Sequence, residues 1–80
     1  MKAKVIIKLK DTILDPQGLT IHHALETLGY KNIESLRSGK FFEIELNVED
    51  REKAVEIVDE ICKKLLTNPV TEEYQFTIES

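Results

Sequence analysis

Tryptophan is absent, cysteine occurs once, and only three glycines and two prolines interrupt the 80 residues. A single thiol cannot close an internal disulfide, and four ligands for a structural zinc are not to be found, so a reducing cytosol is the expected compartment. Positive charge is also short. Against 15 acidic residues stand 11 basic ones, a formal net charge of -4, so no long-range field collects phosphate backbones and nucleic acid is a poor partner. Long apolar runs are missing too: the opening MKAKVIIKLK falls far short of a signal-peptide core or of the roughly 20 residues that a spanning helix needs. The chain is expected to be neither exported nor membrane-embedded. Gly18, Gly29 and Gly39 are too far apart to form a phosphate-cradling loop, and no Gly-x-Ser-x-Gly elbow occurs.

What remains is the composition of an ordinary globular protein, 41% hydrophobic and 32% charged. A chain of this size buries only about 60% of its unfolded-state surface, so a single domain over 1–80 is expected, with marginal stability for a lone subunit. Ala3, Val5, Ile7 and Leu9 alternate with Lys4, Ile6 and Lys8, the period of two of a half-buried strand. Asp15 is placed as a helix N-cap with Pro16 at the first helical position, and Leu14 and Leu19 at the positions of a hydrophobic staple. Ile21, Ala24, Leu25 and Leu28 follow with helical spacing, and Gly29 supplies a left-handed stop. These signals predict a helix over roughly 16 to 28.

Residues 32 to 37 read as a short, polar edge strand, Ser38-Gly39 as a turn, and Phe42, Ile44, Leu46 and Val48 as the inward face of the next strand. A hairpin is therefore expected. Ala54, Ile57, Val58, Ile61, Cys62 and Leu65 share one side of a second helix from about 50 to 66, with Glu49, Asp50 and Glu52 at its positive end and Lys63 and Lys64 at its negative end. Asn68-Pro69 ends it, and Val70, Glu72, Tyr74, Phe76 and Ile78 share one face of a last strand. The order βαββαβ predicts an α+β, ferredoxin-like two-layer sandwich, an antiparallel sheet with two helices on one face. Lys4 and Lys8 are then expected opposite Glu43 and Glu45. Ile6 and Phe41 leave apolar surface on the open face, a candidate for self-association.

Catalytic chemistry is hard to place. Cys62 lies on the apolar stripe of its helix, where burial raises a thiol pKa. His22 and His23 point about 100° apart, so they cannot share a metal, and His22 with Glu26 lacks a third ligand; a solvated face is the expectation. Asp11 and Asp15 could pair as carboxylates, although Asp15 is explained as a cap. Two segments stand out: DPQG at 15 to 18, which puts a helix-weakening glycine in a first turn, and LRSGKFF at 36 to 42, where Arg37 and Lys40 flank a glycine turn. TNPV at 67 to 70 is the third.

Leu14-Asp15-Pro16-Gln17-Gly18 with Thr20-Ile21 and Ala24-Leu25, Leu28-Gly29-Tyr30, Leu36-Arg37-Ser38-Gly39-Lys40, the helix around Ala54, and Leu66-Thr67-Asn68-Pro69-Val70 with Glu73-Tyr74 together resemble the PurS family over the whole chain. These are the small subunits of bacterial and archaeal phosphoribosylformylglycinamidine synthase. The resemblance implies a non-catalytic subunit that joins a glutaminase to a large ATP-dependent synthetase in purine biosynthesis, so that ammonia passes between them. It also implies a cytoplasmic homodimer or homotetramer. By the same resemblance ATP and Mg belong to the large subunit, and this chain holds no cofactor. Asp15, Gln17, Gly18, Arg37, Gly39, Lys40 and Asn68 are the expected partner-binding residues, with Gly18 allowing close backbone approach, Gln17 hydrogen-bonding across the interface and the two cations meeting carboxylates. An ACT-like small-molecule-binding module shares the βαββαβ order and a similar turn into its first helix, and is the alternative.

Overall fold

The computed structural model describes residues 1–80. Strand β1 spans Lys2–Leu9, helix α1 Pro16–Thr27, strand β2 Gly39–Glu45, helix α2 Arg51–Ile61 and strand β3 Glu72–Glu79, with a π-helical turn over Cys62–Leu66. The sheet has the order β2-β1-β3 and both pairings are antiparallel. This is the α+β, ferredoxin-like arrangement in βαββαβ order. Its second β position is the irregular segment 32–37, which joins no ladder. The reason is local. The Ser38 amide donates to Asp15 and the Ile33 carbonyl is taken by His22, so the segment is held by α1 and not by β2. Ser38-Gly39 consequently leads straight into β2, and the expected hairpin does not form.

The strand alternation places Ala3, Val5 and Ile7 at zero exposure, against Ala54, Val58 and Cys62 of α2 and its π-turn and Ile78 of β3. Asp50 caps α2 by accepting from the Glu52 amide at 3.0 Å, as its position ahead of an amphipathic stripe requires. At the far end the backbone N–H of Thr67 reaches the Cys62 carbonyl five residues back, at 2.9 Å. That wider turn shifts the phase of the helix. Leu66 packs on the core, whereas Leu65, expected on the stripe, is 81% exposed.

On the open face the register sets Lys4 opposite Glu43, but Lys8 opposite Gly39 and Glu45 opposite Lys2. The cross-strand expectation for Lys8 therefore fails. It leans to Glu73 on β3 at 3.9 Å, while Lys2 bridges to Glu43 at 3.2 Å and Lys4 to Glu79 at 3.3 Å. Ile6 and Phe41 remain 44% and 55% exposed among these charges. No helix is long and apolar enough to cross a membrane.

Helix α1 contributes nothing to the core cluster. Its side contacts run to the segment 32–38, and Leu14 and Leu19, expected to staple its start, are 68% and 52% exposed. Gly29 adopts φ of +105° and ends it as expected. The radius of gyration is 16.0 Å and the extents 49 × 26 × 14 Å, where a compact chain of this length has a radius of about 12 Å.

Candidate functional site

The three segments singled out in the sequence meet at one end of the sheet. Asp15 is the N-cap of α1, with extended backbone and Pro16 at the first helical position. Its carboxylate accepts from the Gly18 amide at 3.1 Å, as a cap should. It also accepts from the Ser38 amide at 2.6 Å and from the Ser38 hydroxyl at 2.8 Å. These donors, the Ser38 amide foremost and the Gly18 amide next, hold its pKa below the usual carboxylate value. Asp15 is only 3% exposed, so the carboxylate acts as a clasp between α1 and the entry to β2.

Arg37 turns the other way. Its Nη2 donates to the carbonyls of Lys10 and Ile13, each at 3.0 Å, and to that of Leu9 at 3.4 Å. The expected basic hairpin tip is thus replaced by an arginine that ties down the end of β1 and the loop that follows it. Gly18 is buried. A Cβ on it would sit 2.9 Å from the Leu36 carbonyl oxygen and closer still to the Asp15 carboxylate. The close approach inferred from the sequence is real, but the backbone that approaches belongs to the same chain.

The third segment joins through charge. Lys40 pairs with Glu72 at 3.3 Å, and Glu72 accepts from the Asn68 amide at 2.7 Å. Asn68 folds back to accept from the Val70 amide at 3.0 Å, an Asx turn that starts the approach to β3. Lys10 closes the ring by donating to the Pro69 carbonyl at 2.9 Å. Between these elements lies an open cleft of about 420 Å³ lined by Asp15, Pro16, Gln17, Ser38, Gly39, Lys40 and Glu72 together with the end of β1.

Of the seven residues expected at the site, Asp15, Gln17, Gly39 and Lys40 line the cleft and Asn68 reaches it through Glu72. Gly18 and Arg37 support it from behind. Ser38, Glu72 and Lys10 were missed. Ser38 stands in the RSGK motif and marks a turn, but nothing local signals its hydroxyl as the partner of a buried carboxylate 23 residues earlier; Glu72 and Lys10 carry no local signal either, because the groups they tie together lie in other segments. Carboxylate and guanidinium are both committed to internal hydrogen bonds, and the exposed groups are the Gln17 amide and the Lys8 and Lys40 ammonium groups. Such a set suits hydrogen bonding and charge pairing with another surface.

Elsewhere, Cys62 is fully buried and burial pushes its thiol pKa up, as read from its place on the stripe. His22 departs from expectation: it is half-buried, and its Nε2 lies 2.9 Å from the Ile33 carbonyl. His23 stays exposed. A second polar cluster joins α2 to β3, where the Tyr74 hydroxyl donates to Asp59 and Lys63 pairs with the same carboxylate at 2.9 Å. The hydrogen bond, helped by desolvation, pushes the phenol up to about 12.

Residues 2–80 match the family model PurS, described as phosphoribosylformylglycinamidine (FGAM) synthase. The chain is 46% identical over 78 residues to the phosphoribosylformylglycinamidine synthase subunit PurS of Methanocaldococcus jannaschii, covering 98% of this chain and 94% of that one. It is 41% identical to the Bacillus subtilis subunit, with coverage of 98% and 92%. Its fold superimposes on the crystal structure of the M. jannaschii subunit with a TM-score of 0.88. The same score is reached, at 37% identity and with 95% and 93% of the chains covered, for a chain of the PurLQS structure from Thermotoga maritima. By sequence over nearly its full length and by fold, the chain belongs to the PurS family, the subunits of phosphoribosylformylglycinamidine synthase in purine biosynthesis.

Proposed function

We propose that this chain is a non-catalytic adaptor, holding the glutaminase and the ATP-dependent synthetase subunits of its complex so that ammonia passes from one to the other. The observation that carries the reading is the convergence of DPQG, RSGK and NPV on one cleft whose own charges are internally satisfied. A surface built in this way offers shape and a few free polar groups, and it supplies no acid and base in mutual reach of a substrate. Gln17, Gly39, Lys40 and Asn68 form the contact surface in this reading, while Asp15, Gly18 and Arg37 hold its shape. Holding two active sites in fixed relation passes a diffusible neutral intermediate on before it escapes, the same entropic gain that proximity gives a single enzyme. ATP and Mg sit in the large subunit, the chain works in the cytoplasm, and it acts as a homodimer or homotetramer.

Mixing the chain with the glutaminase and large subunits tests this. Synthesis driven by glutamine should require the chain, whereas synthesis fed with ammonium salts should proceed without it. Equal dependence in the two assays would place its action on the synthetase chemistry and overturn the adaptor reading.

A further inference from the structure

Strand β3 stands at one edge of the sheet, and the register shows which of its backbone groups are spare. The Lys10 amide bonds the Thr71 carbonyl at 2.9 Å, and antiparallel pairing repeats such bonds at every second residue. Glu73, Gln75, Thr77 and Glu79 therefore turn their N–H and C=O groups to β1, opposite Lys8, Ile6, Lys4 and Lys2. Glu72, Tyr74, Phe76 and Ile78 turn theirs outward. Two contacts agree with this. The outward amide of Glu72 donates to the Asn68 carbonyl at 2.8 Å, and the outward carbonyl of Ile78 accepts from Arg51 at 2.9 Å. Between those two stops no strand lies beside the amides and carbonyls of Tyr74 and Phe76.

A bare edge is a template for another strand, and this one has room for side chains on both faces. Tyr74 lines two open recesses of about 330 Å³ each. One lies on the open face with Ile6, Lys8 and Gln75. The other lies on the helical face with Lys63, Thr67 and Pro69. An added strand sends alternate side chains to opposite faces, and the two recesses are placed to receive them.

Thr67, in the helical-face recess, is 7% exposed and carries the one buried side-chain oxygen of the molecule that has no partner. Thr20 and Thr27, inside α1, donate to the carbonyls four residues back. Thr67 follows the π-turn with extended backbone and makes no such bond. The groups around it are engaged: Lys63 and the Tyr74 hydroxyl with Asp59, and Glu72 with Lys40 and the Asn68 amide. A buried hydroxyl left unpaired destabilises a fold, and valine fills the same space without that cost. Thr67 opens the TNPV motif, yet the fold of the single chain gives its hydroxyl nothing to do.

We propose that the outer edge of β3 binds an extended segment of a partner enzyme subunit, which adds as a further strand along Tyr74 and Phe76 and sets a polar side chain against Thr67. The inference rests on the adaptor reading and names a second part of its contact surface. The occupant is the subunit that takes the motif cleft, because cleft and recess share Glu72 as a wall. Backbone bonds give the segment its hold, and the two recesses give it selectivity. A turn about the Thr67 χ1 exchanges hydroxyl for methyl within the same volume and brings the sealed oxygen to the arriving group.

Amide exchange trapped in the complex of this chain with the glutaminase and large subunits, and read by NMR after dissociation, tests the strand directly. The Tyr74 and Phe76 amides should exchange quickly in the chain alone and at least about tenfold more slowly in the complex. Those of Gln75 and Thr77, bonded to β1, should be slow in both. Thr67→Val should leave the urea midpoint of the chain alone unchanged or raised, yet weaken assembly by about tenfold. Thr67→Ser, which keeps the hydroxyl, should recover assembly to within about twofold. The proposal is overturned if the Tyr74 and Phe76 amides exchange alike with and without the subunits, or if Thr67→Val assembles as tightly as the wild type. It is equally overturned if those amides are already slow in the chain alone, because a second copy then covers the edge. A chain that binds neither subunit overturns the adaptor reading together with this one, whereas assembly with those amides unchanged overturns this one alone.

Discussion

Replacing Gly18 with alanine sets two effects against each other. Alanine is worth about 1 kcal/mol more than glycine inside a helix, and on that ground alone the variant gains stability. The added methyl, however, meets the Leu36 carbonyl oxygen at 2.9 Å and the Asp15 carboxylate at less. Neither neighbour yields easily, since one is backbone and the other is pinned by Gly18 and Ser38 amides. Overpacking of this kind costs about 1–3 kcal/mol, so the net change is a loss of about 1 kcal/mol. With a urea slope of about 1 kcal/mol/M for a small domain, the unfolding midpoint should fall by about 1 M at fixed chain concentration, which must be held because association shifts it. His23→Ala, on the exposed side of the same helix, is the control and should stay within about 0.5 kcal/mol. A midpoint that rises in Gly18→Ala would show that propensity alone governs the position and that the clasp does not constrain it.

Val58→Ala removes two carbons from a residue at zero exposure against β1 and should cost about 2 kcal/mol by urea unfolding; a cost below about 0.5 would mean that α2 is not seated on the sheet. Thr67 is buried and its hydroxyl finds no partner, so Thr67→Val should be neutral or stabilising by about 1 kcal/mol in the same assay, and a clear loss would reveal a partner for that oxygen. The depressed pKa of Asp15 makes its contribution to stability fully present above 3.8 and lost as pH falls through the folded-state value. Stability measured from pH 5 down to pH 2 should therefore decline, with a shallower slope in Asp15→Asn. Tyr74 is shifted the other way, from 10.0 up to about 12. Its contribution is present below pH 10 and is lost between 10 and 12, and ultraviolet titration of the phenolate should show Asp59→Asn bringing the midpoint back toward 10.

Much of this molecule follows from local rules. Asp15 as a cap with Pro16 behind it, Gly29 as a left-handed stop, the alternation of β1 and the start of the α2 stripe all depend on residues within a turn or two of each other. Their energetics are decided by spacing, so they are legible in the sequence. The PurS motifs were legible for another reason, since three separated segments with fixed residue types define a family without any knowledge of what they touch.

Long-range pairing was decided only by the tertiary structure. Whether 32–37 forms a strand depended on what its backbone groups met, and they met His22 and Asp15, not a neighbouring strand. Arg37 looked like a free cation because the carbonyls it binds lie 24 to 28 residues earlier in the chain. The π-turn that exchanges Leu65 for Leu66 is a phase shift that no helical wheel contains. Local order is set by the chain's own neighbours, but the partner of a backbone group or an ion is whichever donor or acceptor the fold delivers. For that reason the sequence determined the caps, the two helices, the alternation of β1 and the family, and the three-dimensional arrangement alone determined which segments pair and which of the motif residues face outward or hold the structure together.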